Sequence, residues 1–152
     1  MSKIAQRLAE LQISLPTAGA PAAAYVMSAQ TGNTLFLSGH IAKKDGKPLA
    51  GKLGLNMNTE EGKAAARSIA IDLMATMQAH LGNLDRVKRI VKVMSLVNST
   101  QEYTEHHLVT NGCSELLFEV FGEAGKHARS AFGVAQIPLG ACVEIELIAE
   151  VE

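Results

Sequence analysis

The sequence lacks tryptophan, has few other aromatic residues and contains only two cysteines among its 152 residues. A core must therefore be built from alanine, valine, isoleucine, leucine and methionine. Hydrophobic residues still make up 47% of the chain and charged residues 19%, which excludes an intrinsically disordered protein. We expect a single domain over residues 1–152, with residues 1–19 as an N-terminal helix and linker.

An excess of positive charge is also absent, because the formal net charge is -1. Nucleic-acid binders usually carry a basic excess, since neutralisation of the phosphate backbone drives their affinity. No apolar run is long enough to span a membrane, and the N-terminal segment lacks the apolar core of a signal peptide. We therefore expect a cytoplasmic protein whose partner is neither a membrane nor a nucleic acid.

Motifs for several kinds of chemistry are missing as well. Cys113 and Cys142 belong to no C-x-x-C pair and are expected to be buried free thiols. His106 and His107 are adjacent and would point about 100° apart on a helix, which makes a poor metal chelate. The chain also has no H-E-x-x-H pattern, so no metal site is expected. It has no G-x-S-x-G nucleophile motif and no phosphate-binding loop either.

The hydrophobic pattern predicts a short N-terminal helix and then the order β-β-α-β-α-β-β. Ser2–Leu11 has apolar residues at helical spacing, and the segment TGN at 31–33 predicts the turn of a first hairpin. The following segment "KKDGKPLAGKLG" is expected to be a solvated loop. Asn58 and Glu61 form a capping-box pattern that begins a long helix, and Gly82 ends it.

The second half of the chain continues this alternation. A strand is expected in "RVKRIVKVMSLVN", where valines alternate with lysines. A second helix is expected from about Gln101 to Phe121, with an interruption at Gly112. Single strands between helices, with hairpins at both ends, indicate an α+β fold in which one mixed sheet carries two main helices on one face.

The last two predicted strands, "RSAFGVAQI" and "ACVEIELIAEV", are expected to form a hairpin around 138–141. In that pairing Arg129 and Glu144 share the sheet face that looks away from the helices, while Phe132 lies on the covered face. A sheet face that mixes small apolar residues with charges usually packs against another subunit, so an oligomer is expected.

Two interpretations of Arg129 and of Glu144 remain open on residue pattern alone. Arg129 fits a strand-end salt bridge with Glu150, or a clamp for a carboxylate, which the planar guanidinium matches with two hydrogen bonds. Glu144 fits an interface ion pair or a base that orients water. The predicted hairpin separates the two side chains by roughly 20 Å at ~3.3 Å per residue, so cooperation requires a bulge or a site shared between subunits.

The C-terminal segment "ARSAFGVAQIPLGACVEIELIAEV" resembles the signature of the YjgF/Rid family, the reactive intermediate deaminases. "LFLSGHIA" and "LDRVKRIVKVMSLVNS" are similar to two further strands of that family, so the resemblance extends from about Ala20 to the end. "GLNMNTEEG" and the extra N-terminal helix resemble its longer, endoribonuclease-like branch. The resemblance implies a chorismate-mutase-like fold, a homotrimer with ligand sites in clefts between subunits, and no cofactor.

The resemblance also implies hydrolysis of enamine or imine intermediates to 2-keto acids and ammonia, with a small carboxylate-bearing molecule as substrate. Arg129 matches the arginine that binds the carboxylate, and Glu144 matches the glutamate associated with the hydrolytic water. The other positions expected to contact substrate are Tyr25, Ser38, Gly39, His40, Asn111, Ser114, His127 and Ala131.

Several of these positions depart from the family pattern. His40 replaces a glutamine, and Ala131 stands where many deaminases carry a cysteine. The family's helix asparagine has no clean match, because Asn111 lies near that position only with a gap in the alignment and Ser114 is the alternative. His127 fits a pocket group of this branch or a capped loop histidine. Besides a deaminase, the sequence therefore leaves open a non-catalytic carboxylate sensor and, with less support from its charge, an endoribonuclease.

Overall fold

The computed structural model describes residues 2–152, and its elements are numbered here in chain order. The helices are α1 (Lys3–Glu10), α2 (Thr59–Leu81) and α3 (His106–Phe121). The strands are β1 (Ser28–Thr31), β2 (Thr34–Ile41), β3 (Lys43–Lys44), β4 (Lys47–Pro48), β5 (Val87–Asn98), β6 (Ala128–Val134) and β7 (Val143–Val151). Within this range no helix combines the length and the apolar composition needed to cross a membrane.

Five strands form one mixed sheet in the order β1-β2-β7-β5-β6, while β3 and β4 form a small hairpin within the expected solvated loop. Neighbours in the large sheet are antiparallel except β5 and β6, which are parallel and connected through α3. Helices α2 and α3 pack against each other over one face, and α1 contacts α3. This confirms the predicted α+β class, with two main helices on one face and a short N-terminal helix.

The predicted C-terminal hairpin is wrong. β6 pairs with β5 at the edge of the sheet, whereas β7 lies between β2 and β5 and does not pair with β6. The connection runs through a single turn at Pro138–Gly140, and the Gly140 carbonyl accepts a hydrogen bond from the Gly51 N–H. A strand that follows a crossover helix commonly returns beside the strand before that helix, which leaves the gap next to β5 for β7.

The true pairing moves Arg129 to the helix-covered face. Arg129 is in register with Val93, which is in register with Leu147, and both of these apolar residues are buried. Glu144 lies an odd number of residues from Leu147 along β7, so it occupies the opposite, open face as predicted. Phe132 also lies on the open face and is 43% exposed, although the hairpin prediction placed it in the core.

The ends of α2 follow the predicted signals. Asn58 accepts a hydrogen bond from the Glu61 N–H at 2.9 Å, and the Glu61 carboxylate accepts one from the Asn58 N–H at 2.8 Å. This is the predicted capping box, which satisfies two N–H groups that the helix cannot. Gly82 ends the helix with a φ of 78°, a left-handed conformation that glycine adopts without a steric cost.

The predicted N-terminal helix is present as α1 and is held onto the body of the domain. Ser2 caps it, and the Asp85 carboxylate accepts hydrogen bonds from the N–H groups of Ile4 at 2.8 Å and Lys3 at 2.9 Å. These backbone bonds, that of Ile4 first, lower the pKa of Asp85. Ile4 and Leu8 are buried against the core, so this helix is a packed part of the fold.

Helix α3 begins later than predicted and continues through Gly112 without a break. The glycine is required by packing, since a Cβ at this position would lie 2.0 Å from the Lys63 carbonyl oxygen of α2. The residue that looks like a helix interruption is therefore the point of closest approach between the two main helices.

We expect Gly112→Ala to lower the free energy of unfolding by about 1–3 kcal/mol, because the added methyl group overpacks this contact. This is the expected net change, because the clash with the Lys63 carbonyl oxygen outweighs the roughly 1 kcal/mol that alanine gains over glycine in helix propensity. Urea denaturation measures the change, and Glu119→Ala on the exposed side of α3 is the control, with an effect within about 0.5 kcal/mol. A Gly112→Ala protein as stable as the wild type would contradict the close helix contact.

Candidate functional site

The side chain of Arg129 leaves the edge strand β6 on the helix side and reaches α3. Its Nη1 donates hydrogen bonds to Asn111 Oδ1 at 2.8 Å and to Ser114 Oγ at 3.2 Å. Nη2 lies 3.5 Å from the His107 carbonyl oxygen. Among the described residues nothing accepts from Nε or from the second Nη2 hydrogen. The guanidinium is thus fixed on one side and retains donors for a ligand on the other.

His127 lies next to this arginine and contacts the same serine. Its Nδ1 is 2.7 Å from the Gly125 carbonyl oxygen, and its Nε2 is 2.9 Å from Ser114 Oγ. A carbonyl oxygen only accepts, so Nδ1 carries the proton and Nε2 of the neutral ring accepts the Ser114 hydroxyl hydrogen. Burial is the main cause that lowers the pKa of His127, and Arg129 lowers it further, against the Gly125 hydrogen bond.

These groups border a pocket of about 250 Å³, large enough for a small organic acid. Lys126 adds a second positive charge; its Nζ lies 2.9 Å from the Glu123 carboxylate and 5.3 Å from the centre of the Phe118 ring. The pocket therefore combines cationic groups with one aromatic wall, which suits a small anion. Its lining residues are Ser114, Phe118, Gly125, Lys126, His127 and Arg129.

Ala131 follows Arg129 on the helix side of β6 and is half-buried. It is in register with Ser95 of β5, whose hydroxyl is buried without a hydrogen-bond partner among the described residues. Gly133, the next residue on this face, is in close contact with its surroundings, because a Cβ there would lie 2.5 Å from Ser99 Oγ. The row of small residues lets α3 approach β6 closely.

A second group of the predicted residues surrounds Glu144 on the other side of the sheet. β2 has a bulge between Leu37 and His40, and a Cβ on Gly39 in this bulge would lie 3.0 Å from Glu144 Cδ. The carboxyl group therefore packs directly on the Gly39 backbone. Burial, and then the like charge of Glu146, raise the pKa of Glu144, which makes this carboxylate a stronger base than an exposed one.

Ser38 and Tyr25 lie near the same bulge. The Ser38 hydroxyl donates to the Val26 carbonyl oxygen at 2.6 Å, which connects the bulge to the segment before β1. Tyr25, next to Val26, is 48% exposed, and its hydroxyl accepts a hydrogen bond from the Ala22 N–H at 3.3 Å. Tyr25, Ser38, Gly39 and Glu144 thus form one neighbourhood, separate from the Arg129 pocket.

His40 belongs to neither surface. It is 7% exposed, its Nδ1 donates to the Ser38 carbonyl oxygen at 2.6 Å, and its Nε2 accepts from the Thr76 hydroxyl at 2.8 Å. Burial is the main cause that lowers the pKa of this ring. Because both nitrogens have partners within the chain, His40 connects the bulge of β2 to α2 and has no free nitrogen for a ligand.

Arg129 and Glu144 therefore do not meet within one chain. Glu144 is in register with Leu96 and Phe132, so Arg129 lies two strands across and three residues along the sheet. At ~4.8 Å between strands and ~3.3 Å per residue, their Cα atoms are about 14 Å apart, and their side chains leave opposite faces. A site that uses both groups requires a second copy of the chain.

Residue-type reasoning missed Lys126 and Phe118, which line the pocket beside the predicted residues. Lys126 directly precedes His127 in "KHARS", and this proximity in sequence is a signal that it lies near the pocket. Whether its side chain turns toward the pocket depends on the loop after α3. Phe118 is one turn after Ser114 on α3, where helical spacing places it on the same side.

Comparisons with known proteins place the chain in a family and match its fold. A family profile described as "YjgF/chorismate mutase-like, putative endoribonuclease" matches residues 5–151. The chain is 47% identical over 150 residues to "Protein TCP17" of Trypanosoma cruzi, covering 97% of this chain and 94% of that protein. It is 28% identical over 145 residues to a 2-iminobutanoate/2-iminopropanoate deaminase of Dermatophagoides farinae, covering 92% and 95% respectively.

A solved structure also has this fold throughout. The crystal structure of a "putative endoribonuclease" from Shewanella oneidensis MR-1 superposes with a TM-score of 0.94 at 32% identity, covering 99% of this chain and 100% of that one. The similarity includes the N-terminal helix and the long loop before α2, because almost every residue of both chains is matched.

Proposed function

Because the chain belongs to the YjgF/chorismate mutase-like family, we propose that it is a hydrolytic deaminase that converts 2-imino and enamino acids to 2-keto acids and ammonia. The observation that carries this proposal is the Arg129 guanidinium, which Asn111 and Ser114 hold with free donors beside a small cationic pocket. A planar fork of this kind matches the carboxylate that every 2-imino acid carries. The related deaminase of Dermatophagoides farinae acts on substrates of this class by its name.

The chemistry requires little beyond position and proton transfer. The carbon of a protonated imine is already electrophilic, so the protein must hold the carboxylate, place a water molecule near ~3 Å and accept protons from it. Arg129 supplies the first of these functions. Glu144, with its raised pKa, supplies a base that orients the water. These steps call for no cofactor and no metal ion.

We further propose that the working form is a homotrimer in which Glu144 of one copy completes the Arg129 pocket of the next. The open face of the sheet supports this proposal, because it carries a band of apolar side chains where a monomer would expose them to water. Phe36 and Phe132 are each 43% exposed. The half-buried members of the band are Met94, Leu96 and Ile148.

Turnover of 2-imino acids tests the proposed reaction. The substrates are generated by an amino acid oxidase and trapped with semicarbazide, so that a deaminase lowers the yield of semicarbazone. We expect the wild-type protein to compete with the trap, and Glu144→Gln to compete far less because the amide cannot accept the water proton. Glu150→Gln is the control, since Glu150 on the same strand pairs with Arg89 at 2.8 Å. A wild-type protein that turns over no member of a broad panel would exclude the deaminase.

A carboxylate sensor is the second candidate, favoured by one observation. The cationic groups that line the Arg129 pocket all come from one chain, whereas Glu144 lies on the other face of the sheet. Binding of 2-keto acids without any imine turnover would support the sensor. An RNA-cleaving activity, which the name of the Shewanella oneidensis protein suggests for that protein, has less support here because the net charge is -1.

We place this activity in the cytoplasm. Cys113 and Cys142 are both free and buried, as suits a reducing compartment. Burial raises the pKa of the Cys113 thiol to about 12 and that of Cys142 to about 11, so neither is a thiolate near neutral pH. Neither cysteine is therefore assigned a part in the reaction.

A further inference from the structure

A serine and a histidine next to the carboxylate-binding arginine form a pair that the proposed reaction has not yet used. Ser114 Oγ accepts a hydrogen bond from Arg129 Nη1 at 3.2 Å and lies 2.9 Å from His127 Nε2. The hydroxyl hydrogen therefore points at the histidine, and one lone pair of Oγ remains for the pocket. The pair borders the same 250 Å³ space that would hold the substrate.

The hydrolysis leaves one proton acceptor unassigned. The water oxygen becomes the carbonyl oxygen of the product, so both of its protons must leave it. Glu144 can take only one of them at a time. A second acceptor must take the other water proton. It has to lie near the leaving nitrogen, because that proton is later needed on the nitrogen to make ammonia.

We propose that His127, acting through the hydroxyl of Ser114, is the first proton acceptor of the hydrolysis and later returns that proton to the departing nitrogen. This proposal rests on the deaminase function proposed above. It assigns His127 a task that the short distance to Ser114 and the fixed Nδ1 hydrogen bond to Gly125 make possible. The Gly125 carbonyl keeps the accepting nitrogen turned toward the serine.

In the first step the water oxygen bonds to the carbon of the protonated imine, and the π electron pair of the C=N bond moves to nitrogen. One water proton moves to Ser114 Oγ as the serine proton moves to His127 Nε2. The products of this step are a neutral carbinolamine and an imidazolium ring.

In the second step the imidazolium returns its proton through Ser114 to the amino nitrogen. Glu144 takes the proton of the carbinol hydroxyl, the O–H electron pair becomes the second bond of the carbonyl, and the C–N pair leaves with nitrogen. The products are the 2-keto acid, ammonia and one proton on Glu144, which balances the protonated imine and the water.

The surroundings favour the neutral ring that the first step requires. Arg129 on β6 and Lys126 before it are both cationic, and Glu123 is held by Lys126 at 2.9 Å. Across the pocket α3 presents the neutral Ser114, and the buried Cys113 thiol behind it has a pKa of about 12. Burial and Arg129 together hold the pKa of His127 below its ordinary value of 6.5. The ring is therefore ready to accept a proton at neutral pH.

The pH dependence of kcat tests this assignment with His127→Gln. In the wild type, kcat is expected to rise with pH through the lowered pKa of His127 and then to level off. In the variant, kcat is expected to be about 100-fold lower and to lose this acidic limb, because no general base is left at this position. KM is expected to stay within about twofold, because Arg129 still binds the carboxylate.

A matched control and a second variant complete the experiment. His80→Gln alters another histidine beside a serine, since His80 Nδ1 lies 3.0 Å from Ser28 Oγ on a remote surface, and is expected to retain the wild-type kcat and pH profile. Ser114→Ala breaks the relay and is expected to reproduce the loss in kcat. If His127→Gln does not fold, the same measurements on Ser114→Ala test the proposal. Added imidazole is expected to restore part of the activity of His127→Ala.

The outcomes separate this proposal from the one on which it rests. Wild-type turnover together with an unchanged kcat and acidic limb in His127→Gln, or in Ser114→Ala, would overturn the role of His127 and leave the deaminase intact. Absence of turnover in the wild type would overturn both. The relay is supported if the His127 variants lose kcat, added imidazole restores part of it in His127→Ala, and His80→Gln keeps the wild-type kcat.

Discussion

Arg129→Lys is expected to lower kcat/KM for 2-imino acids by about 100-fold, although the charge is unchanged. The guanidinium binds Asn111 and Ser114 through Nη1 and keeps Nε and one Nη2 hydrogen for the ligand. An ammonium group has no planar fork and cannot make both sets of contacts from one position. Loss of a charged hydrogen bond of roughly 1.5–3 kcal/mol corresponds to a factor of this size.

Two measurements check this expectation. Kinetics in the semicarbazide assay should show the loss mainly in KM, because the carboxylate contact is made before and during the reaction. Stabilisation of the fold by 2-keto acids, measured as the rise in Tm, should disappear as well. Arg89→Lys is the matched control, since Arg89 forms an exposed ion pair with Glu150 at 2.8 Å and lies far from the pocket. An unaltered KM in Arg129→Lys would show that the carboxylate binds elsewhere.

Two inactive variants are expected to regain activity when their subunits are mixed. Arg129→Ala lacks the carboxylate-binding group and Glu144→Gln lacks the base, so each homo-oligomer should be inactive. If each site takes its arginine from one copy and its glutamate from the next, random mixing gives about one quarter of the sites both native groups. Activity of the mixed sample should therefore approach one quarter of the wild-type value.

Co-expression of the two variants with different affinity tags gives the mixed oligomers for this measurement. The control is co-expression of Arg129→Ala with the double variant that carries both substitutions, which contains no native arginine and should stay inactive. Mixed oligomers without recovered activity would contradict a shared site. A wild-type protein that is fully active and monomeric by light scattering at micromolar concentration would contradict it as well.

Local signals in the sequence predicted the elements but not the pairing of the last two strands. The capping pair Asn58 and Glu61 and the stop at Gly82 act within a few residues of themselves, so they were sufficient to place α2. The pairing of β6 with β5 depends on the path of α3 within residues 99–127, and a turn pattern elsewhere in the chain cannot report that path. The alternation of a strand shows which of its residues share a face, but not which face the helices cover. For this reason Arg129 and Phe132 were each assigned to the wrong face of the sheet.

The candidate site was predictable in part, and that part rests on the resemblance to the YjgF/Rid family. Arg129, Asn111, Ser114 and His127 were all expected to contact substrate, and the structure brings these four together. Their roles stay predictions until the variants are measured. The resemblance predicts His40 in the pocket, at the position of the family's glutamine, but the bulge of β2 turns its ring into the core. A bulge shifts the alternation of a strand, and residue types alone did not indicate it.

The position of β7 has a consequence for how the protein is made. β7 is synthesised after the other strands but lies in the middle of the sheet, between β2 and β5. Until residues 143–151 leave the ribosome, the two halves of the sheet have no common strand to join them, and their apolar edges stay open. Such non-local pairing folds slowly, and exposed strand edges aggregate. Nascent chains of this protein should therefore depend on chaperones until translation has passed the last strand.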